Sequence, residues 1–521
     1  MGDVIEITRN RVQHLFRTLG TAVQRRPNVW CLIAGAMAKL CFSKHTCQPL
    51  MLPSLSILLY AMWRSTPRRP FVHGLMFGIG IFSSTLYWIA ESFKCVGLDS
   101  LRWPAVACLV LYLSLYVATA SLLSVSLAKS RSGFLILFSC FWTLAEYARG
   151  IIFTGFPWNL LGYLTYDFPC FSQIASVLGS YGVSFFVVLT IALLTTRRTL
   201  LWGIAVCTAV CSYGYVRLHT QGDVITPAER VHVLAVQPSI SQYDKVNKAR
   251  YDQNLSKHII LSEFNNTHLE KTLIVWPEAA IDASQMRRGD IRQYIGNLIR
   301  SEGLYIVTGA DRMDDDGGMY NGAVVLGKDG KVLQTYDKRH LLPFGEFIPE
   351  FLLDLGLRKV TPGTLNFSRG TSSRTISIDG LEKFNLAICY EIVFPGDVLD
   401  DRNSKWILNI TNDAWFGNSD GPSQHMRSVC FRAIEEGRAI VRVANNGISC
   451  VIDCNGRVVN KLETNEIGAI KADMPMPYRD TFFSVHGNKT ILLLVFGLIV
   501  IVLVLERACI NRHRHNASDV L

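Results

Sequence analysis

The chain has 521 residues, 49% of them hydrophobic and 18% charged, and a formal net charge of +10. That is too long for one ordinary domain, and a charged fraction below the roughly 25% of soluble domains sets aside a single soluble globule. Lys and Arg flank apolar runs instead of lining an aromatic-interleaved groove, so the positive charge points to a membrane and away from nucleic acid.

The basic N-terminal stretch (Arg9, Arg11, Arg17, Arg25, Arg26) leads into no single hydrophobic run with a small-residue cleavage signal, so no removable signal peptide is expected. Apolar segments near the roughly 20 residues of a spanning helix follow. They are predicted at 28–43, 47–63, 71–91, 104–127, 132–150, 171–195, 200–218 and 489–506. The first two are short, and Lys39 interrupts the first. Loops holding Arg64, Arg68 and Arg69, then Lys129 and Arg131, then Arg197 and Arg198 are the more basic set. With those loops cytoplasmic, residues 1–27 lie inside, a seven-helix membrane domain covers 28–218, and 223–485 lies outside. An anchor at 489–506 then returns 507–521 inside. Glu91 and Glu146 fall near span ends, and Lys39 and Arg149 read as snorkelling side chains.

The outside stretch alternates strand and helix signals. Strands are predicted in Val231–Val236, Leu273–Val275, Tyr305–Val307, Ala323–Leu326, Phe384–Ile388, Trp406–Ile410 and Ile440–Val443. Helices are predicted near 246–264, 287–302 and 422–437, and hairpins at Asp329-Gly330 and Asn455-Gly456. The order suggests a layered α/β domain with a mixed sheet. Neither an internal repeat nor a low-complexity linker is evident. Many of the fourteen cysteines, such as Cys31, Cys41 and Cys140, fall in apolar runs and read as small hydrophobes. Cys450 and Cys454, on either side of a short predicted strand, have no further Cys or His nearby to complete a zinc site and read as structural.

Three residues follow the C-terminal ends of predicted buried strands, where open α/β sheets gather their sites. They are Glu278 in Trp276-Pro277-Glu278, Lys338 in Asp337-Lys338-Arg339, and Cys389 in Cys389-Tyr390-Glu391. Each alone reads as ordinary: a buried thiol, a loop carboxylate, a solvated lysine. Together they supply what acyl transfer needs. A thiol needs a base, which Glu278 offers; an oxyanion needs a fixed positive donor, which Lys338 offers. Glu346 could orient the lysine or assist proton transfer. Trp415, Phe416 and Phe344 are candidates for an apolar lip, or equally for ordinary packing aromatics.

These motifs, with Asp337 through Glu346 read as one run, resemble the Glu-Lys-Cys signature of the nitrilase superfamily. Phe156-Pro157-Trp158, Asn412 through Gly417, and Asn445-Asn446-Gly447 extend the resemblance to the membrane-bound apolipoprotein N-acyltransferases. The resemblance implies an α-β-β-α sandwich on the periplasmic face of a bacterial inner membrane, seated on about eight transmembrane helices and acting as a monomer. It implies a ping-pong reaction. Cys389 takes an acyl chain from a phospholipid, typically phosphatidylethanolamine, as a thioester. It then passes the chain to the α-amine of a diacylglyceryl-modified apolipoprotein. By motif position Glu278 is the general base, Lys338 the oxyanion stabiliser and Glu346 a supporting carboxylate, with Tyr390 and Glu391 shaping the site. No metal or organic cofactor is called for. One departure is the loop Gln237–Asp244, shorter than the family's and offering Tyr243 where a Trp is usual; it puts the lid and acceptor contacts in doubt.

Two other readings use parts of the same pattern. A membrane-anchored nitrilase-type amidase explains the three residues but has no use for seven preceding helices. A transporter or scaffold with a ligand-binding nitrilase-like domain leaves the complete triad unexplained.

Overall fold

The structure, a computed structural model, describes Thr18 and residues 20–518 except 45–46, 65–68, 96, 221–224, 226–228, 266–270, 300–302 and 349–365. The N-terminal segment through Arg17, Arg68, Asp223 and residues 519–521 lie outside the described residues.

The first part is helical. Its main helices are α1 (Pro27–Ala36), α2 (Met51–Trp63), α3 (Arg69–Thr85), α4 (Arg102–Leu127), α5 (Arg131–Ile151), α6 (Ala175–Leu194) and α7 (Leu200–His219). Among the described residues, five helices are long and apolar enough to cross a membrane: α4, α5, α6, α7 and the helix beginning at Lys489. The segments predicted at 28–43, 47–63 and 71–91 form shorter helices; the first breaks at Met37, and the third gives way to a separate turn of helix at Ile89–Lys94. Arg149 does not snorkel. It is buried, and its guanidinium donates to the Phe156 and Trp158 carbonyls at 2.8 and 2.7 Å.

Among the described residues, 231–474 form two six-stranded sheets, each mixed, where the strand signals alone suggested one. In the first, β1 (Val231–Gln237), β2 (Thr272–Val275) and β3 (Leu304–Met313) are parallel. The antiparallel β4 (Met319–Leu326) and β5 (Val332–Asp337) extend one side. In the second, β6 (Thr375–Ile376) edges the parallel β7 (Phe384–Ile388), β8 (Trp406–Thr411) and β9 (Ala439–Ala444). The hairpin of β10 (Ser449–Ile452) and β11 (Val458–Leu462) completes that sheet, and β12 (Gly468–Met474) returns beside β1. Both predicted hairpins form. Cys450 lies inside β10, not beside it, and is buried like Cys454.

β2, β7, β8 and β9 are buried along their whole length because both faces are covered. Val231, Val233 and Ala235 alternate onto the inner face against Leu386, Ile388 and Leu408 of the second sheet. Leu234 and Val236 point outward, onto Leu255 and Ile259 of α8 (Tyr251–Asn265) and Ile295 of α9 (Gly289–Gly296). The helix predicted near 246–264 is split at Asn247, and α9 closes at Gly296, short of the predicted end. On the far side α10 (Gly421–Glu436) covers the second sheet. Its Val429, Phe431 and Ile434 join Ile407 and Ile440 and the residues of the helical part in one continuous core. The last helix, α11 (Lys489–Ser518), runs on through most of the expected tail. Its Glu506 carboxylate accepts from the backbone N–H groups of Lys129 and Ser130 at the start of α5, where a negative charge suits the helix end.

Candidate active site

Glu278 follows β2, Lys338 follows β5 and Cys389 follows β7, so the carboxyl ends of strands from both sheets bring the three together. Glu278 is buried. One oxygen accepts from Asn321 Nδ2 at 2.8 Å, the other from the Asn412 backbone N–H at 2.8 Å. Lys338 is 2% exposed, with Nζ 2.9 Å from Glu346 Oε1 and 3.5 Å from Glu278 Oε1. Glu346 also accepts from Asn321 Nδ2 at 2.7 Å and from the Leu342 backbone N–H at 2.7 Å. Burial disfavours the ammonium, but the Glu346 and Glu278 carboxyls outweigh it and hold the Lys338 pKa above its ordinary value.

Cys389 opens a short 3-10 turn with φ 50°, a left-handed conformation rare outside glycine. Such strain, on the order of 1–3 kcal/mol, persists only where surroundings impose it. Here Glu391 accepts from the Ile388 backbone N–H at 2.8 Å, and the Tyr390 hydroxyl donates to the Gly155 carbonyl at 2.9 Å. Gly155 itself has φ 84°, which suits glycine. Burial and the nearby Glu278 push the Cys389 thiol pKa up, while Lys338 and a hydrogen bond with Thr411 pull it down. The thiol is therefore protonated at rest, and its proton must leave as the sulfur reacts. Two buried carboxyls already face one ammonium, so a standing thiolate would add negative charge to a site that has too much.

The other expected residues are placed less uniformly. Glu391 is wholly buried and faces the fold. It accepts from the Tyr336 hydroxyl at 2.8 Å and from the Arg339 and His340 backbone N–H groups at 2.9 and 3.1 Å, tying the Lys338 loop to the Cys389 turn. Phe344 is half exposed, with φ 63°, and Tyr243 is 75% exposed. Phe416 packs into the joint with the helical part, 4.5 Å from the Trp88 ring and 5.9 Å from Trp158. The Trp415 carbonyl accepts from Ser92 Oγ at 3.0 Å.

Sequence reasoning missed three participants. Asn321 bridges both carboxyls from the middle of β4; an Asn inside a strand, where it is normally depleted, was the available signal. Lys245 donates to the Glu278 carbonyl at 2.8 Å, and burial pushes its amine down to about 8 against the pull of Glu278 and Asp311. Thr411, the last residue of β8, donates its hydroxyl to Asp413 Oδ1 at 3.0 Å beside the thiol. Of the motif residues, Asn445 exchanges hydrogen bonds with the Ile240 backbone and donates to Asn412 Oδ1 at 2.9 Å. A Cβ on Gly447 would collide with Asp413 Oδ2. Among the described residues no group of His, Cys, Asp and Glu could hold a metal ion.

A buried Glu and Lys facing a Cys in a strained turn, at converging strand ends of a two-sheet sandwich, define the carbon-nitrogen hydrolase class. The family described as Carbon-nitrogen hydrolase matches residues 235–481, and that described as Apolipoprotein N-acyltransferase N-terminal domain matches residues 34–193. An apolipoprotein N-acyltransferase of Rickettsia bellii is 33% identical, over 93% of this chain and 99% of its own length. One from Shewanella oneidensis is 33% identical over 91% of this chain and 94% of its own. Among solved structures, a carbon-nitrogen hydrolase from Helicobacter pylori is 14% identical with a TM-score of 0.36, over 47% of this chain and 89% of that one. The chain belongs to the apolipoprotein N-acyltransferase family, and it is a membrane protein.

Proposed function

We propose that the protein transfers an acyl chain from a phospholipid, phosphatidylethanolamine in the first instance, through a Cys389 thioester to the α-amine of a lipoprotein's diacylglyceryl-cysteine. In the first half-reaction Cys389 Sγ attacks the ester carbonyl as Glu278 takes the thiol proton. The Lys338 ammonium faces the charge that develops on the carbonyl oxygen. The C–O bond breaks, the leaving alkoxide receives the proton from Glu278, and the lysophospholipid departs. In the second, the free amine attacks the thioester. Glu278 accepts an amine proton, the C–S bond breaks, and the proton returns to the sulfur. Glu346 and Asn321 hold Lys338 and Glu278 in register throughout.

The observation that carries this reading is the Lys338 ammonium buried between Glu278 and Glu346 beside a Cys forced into a left-handed turn. Family membership supports the lipid donor and lipoprotein acceptor. The charge distribution of the loops supports a catalytic part on the periplasmic face of a bacterial inner membrane. We take the working unit to be a monomer.

The test is mass spectrometry of the native chain and of Cys389→Ala after incubation with phosphatidylethanolamine. An acyl mass on the Cys389 peptide, absent from Cys389→Ala and discharged by a diacylglyceryl peptide with a free amine, is the expected result. An adduct lost only to water would make the enzyme a hydrolase. Transfer without any adduct would remove Cys389 as nucleophile.

A further inference from the structure

Helix α10 lies between the second sheet and the helical part, and Asp420, Gln424 and Arg427 follow an i, i+4, i+7 spacing that puts them on one face. All three reach into the helical part. Asp420 accepts from the Tyr87 hydroxyl at 3.1 Å, and Arg427 donates to the Ser43 carbonyl at 2.8 Å.

Gln424 does more than either. Its Oε1 accepts from the indole N–H groups of Trp88 at 3.0 Å and Trp158 at 2.9 Å, and from Asn159 Nδ2 at 3.2 Å. Its Nε2 donates to the Thr85 carbonyl at 3.2 Å and to the Phe42 carbonyl at 3.5 Å. Thr85 closes α3 and Phe42 closes the short helix Ala38–Phe42, so both carbonyls are helix-end acceptors with no partner inside their own helices. A primary amide has two donor hydrogens and two acceptor lone pairs. Every one of them is spent on a segment of the helical part, at a site only 4% exposed.

The two indoles held this way are the walls of the joint next to the nucleophile. Trp88 and Trp158 both pack on Phe416, and Trp158 lies 5.2 Å from the ring of His425, the residue after Gln424. Phe156, two residues before Trp158, lies 6.4 Å from the Tyr390 ring, beside Cys389. A shift of α10 against the helices would move these walls relative to Cys389 without touching Glu278, Lys338 or Glu346.

We propose that Gln424 is a positioning residue that sets the register between the helical part and Cys389, and thereby selects acyl donors delivered from the lipid phase over donors delivered from water. A soluble ester needs only Cys389, Glu278 and Lys338. A lipid ester must also pass the joint whose walls Gln424 fixes. This rests on the reading of Cys389 as the nucleophile.

The experiment follows acylation of Cys389 in the full chain in detergent, with phosphatidylethanolamine and with p-nitrophenyl butyrate as alternative donors. For Gln424→Leu, which keeps the bulk and removes all five hydrogen bonds, the ratio of lipid to soluble rates should fall on the order of 100-fold, the cost of a small misplacement. For Gln424→Asn, which keeps the amide but draws it back by one methylene, the ratio should fall less. A Leu variant that loses both rates in proportion, or neither, overturns the proposal. Should that variant not fold, Gln424→Asn is read by the same two outcomes. A native chain acylated by neither donor overturns the reading of Cys389, and this inference with it.

Discussion

Helices α8 and α10 occupy equivalent places, one over the outer face of each sheet, yet they live in different surroundings. In α8, Asn254, Leu255, His258, Ile259 and Ser262 turn inward while Asp252, Gln253, Ser256 and Ile260 remain exposed. That is the ordinary one-sided helix. In α10 every residue but Ser423 is buried, including Arg427, Arg432 and Glu435. The charges survive because the helical part completes their bonding. Arg432 Nε lies 2.6 Å from Glu435 Oε2, its Nη1 donates to the Val393 carbonyl at 2.9 Å, and Ser180 of α6 donates its backbone N–H to Glu435 at 2.6 Å. A helix with a surface-type composition thus becomes the centre of the molecule, and its ion pairs fasten the sandwich to the helices.

The largest loss comes from breaking the α10 pair. Arg432→Ala should cost about 3–5 kcal/mol, because it strands a buried carboxylate, and should lower the melting temperature in detergent sharply. Replacing Arg432 and Glu435 together by Met and Leu should cost less than Arg432→Ala alone; an equal or greater loss would mean the pair does more than neutralise itself. On α8, Ile259→Ala should cost about 2–5 kcal/mol through the cavity it leaves, without altering the joint.

Acid and base should separate the helices next. Burial pushes the His258 pKa down to about 3 from an ordinary 6.5. Above pH 6.5 the folded and unfolded rings are both neutral; as pH falls from 6.5 toward 3, the unfolded chain gains a proton the folded one refuses, and stability drops. Burial, with Glu435 adding to it, pushes Glu436 up to about 8 from an ordinary 4.5. Here stability drops in the other direction, as pH rises from 4.5 toward 8 and the unfolded chain releases a proton the folded one keeps. His258→Gln should remove the loss seen as pH falls from 6.5 toward 3, and Glu436→Gln the loss seen as pH rises from 4.5 toward 8. Either substitution acting on the other loss would sink the assignment. The smallest effect belongs to Lys257→Ala on the half-buried flank of α8, within about 0.5 kcal/mol.

Much of the sandwich was legible residue by residue. Val231 through Val236 and Phe384 through Ile388 announce strands because both their faces are apolar, and Glu278, Lys338 and Cys389 stand out as polar residues at the ends of such runs. The double sheet was not legible from strand signals, since the two inner faces look alike until they meet. Arg149, read as snorkelling, is instead consumed by the loop it folds under. Phe416, a candidate for the lip, is held in the joint by Trp88 and Trp158, more than 250 residues away in the chain.

Periodicities, long apolar spans and the types of chemical group available can be read along the chain, because these depend on neighbours a few residues apart. Which groups are buried, which carboxyls share Asn321 and which face of α10 meets the helices emerge when distant segments pack together. Burial and hydrogen-bond satisfaction depend on partners that chain-local patterns cannot name, and at Gln424 those partners come from three separate stretches of the chain.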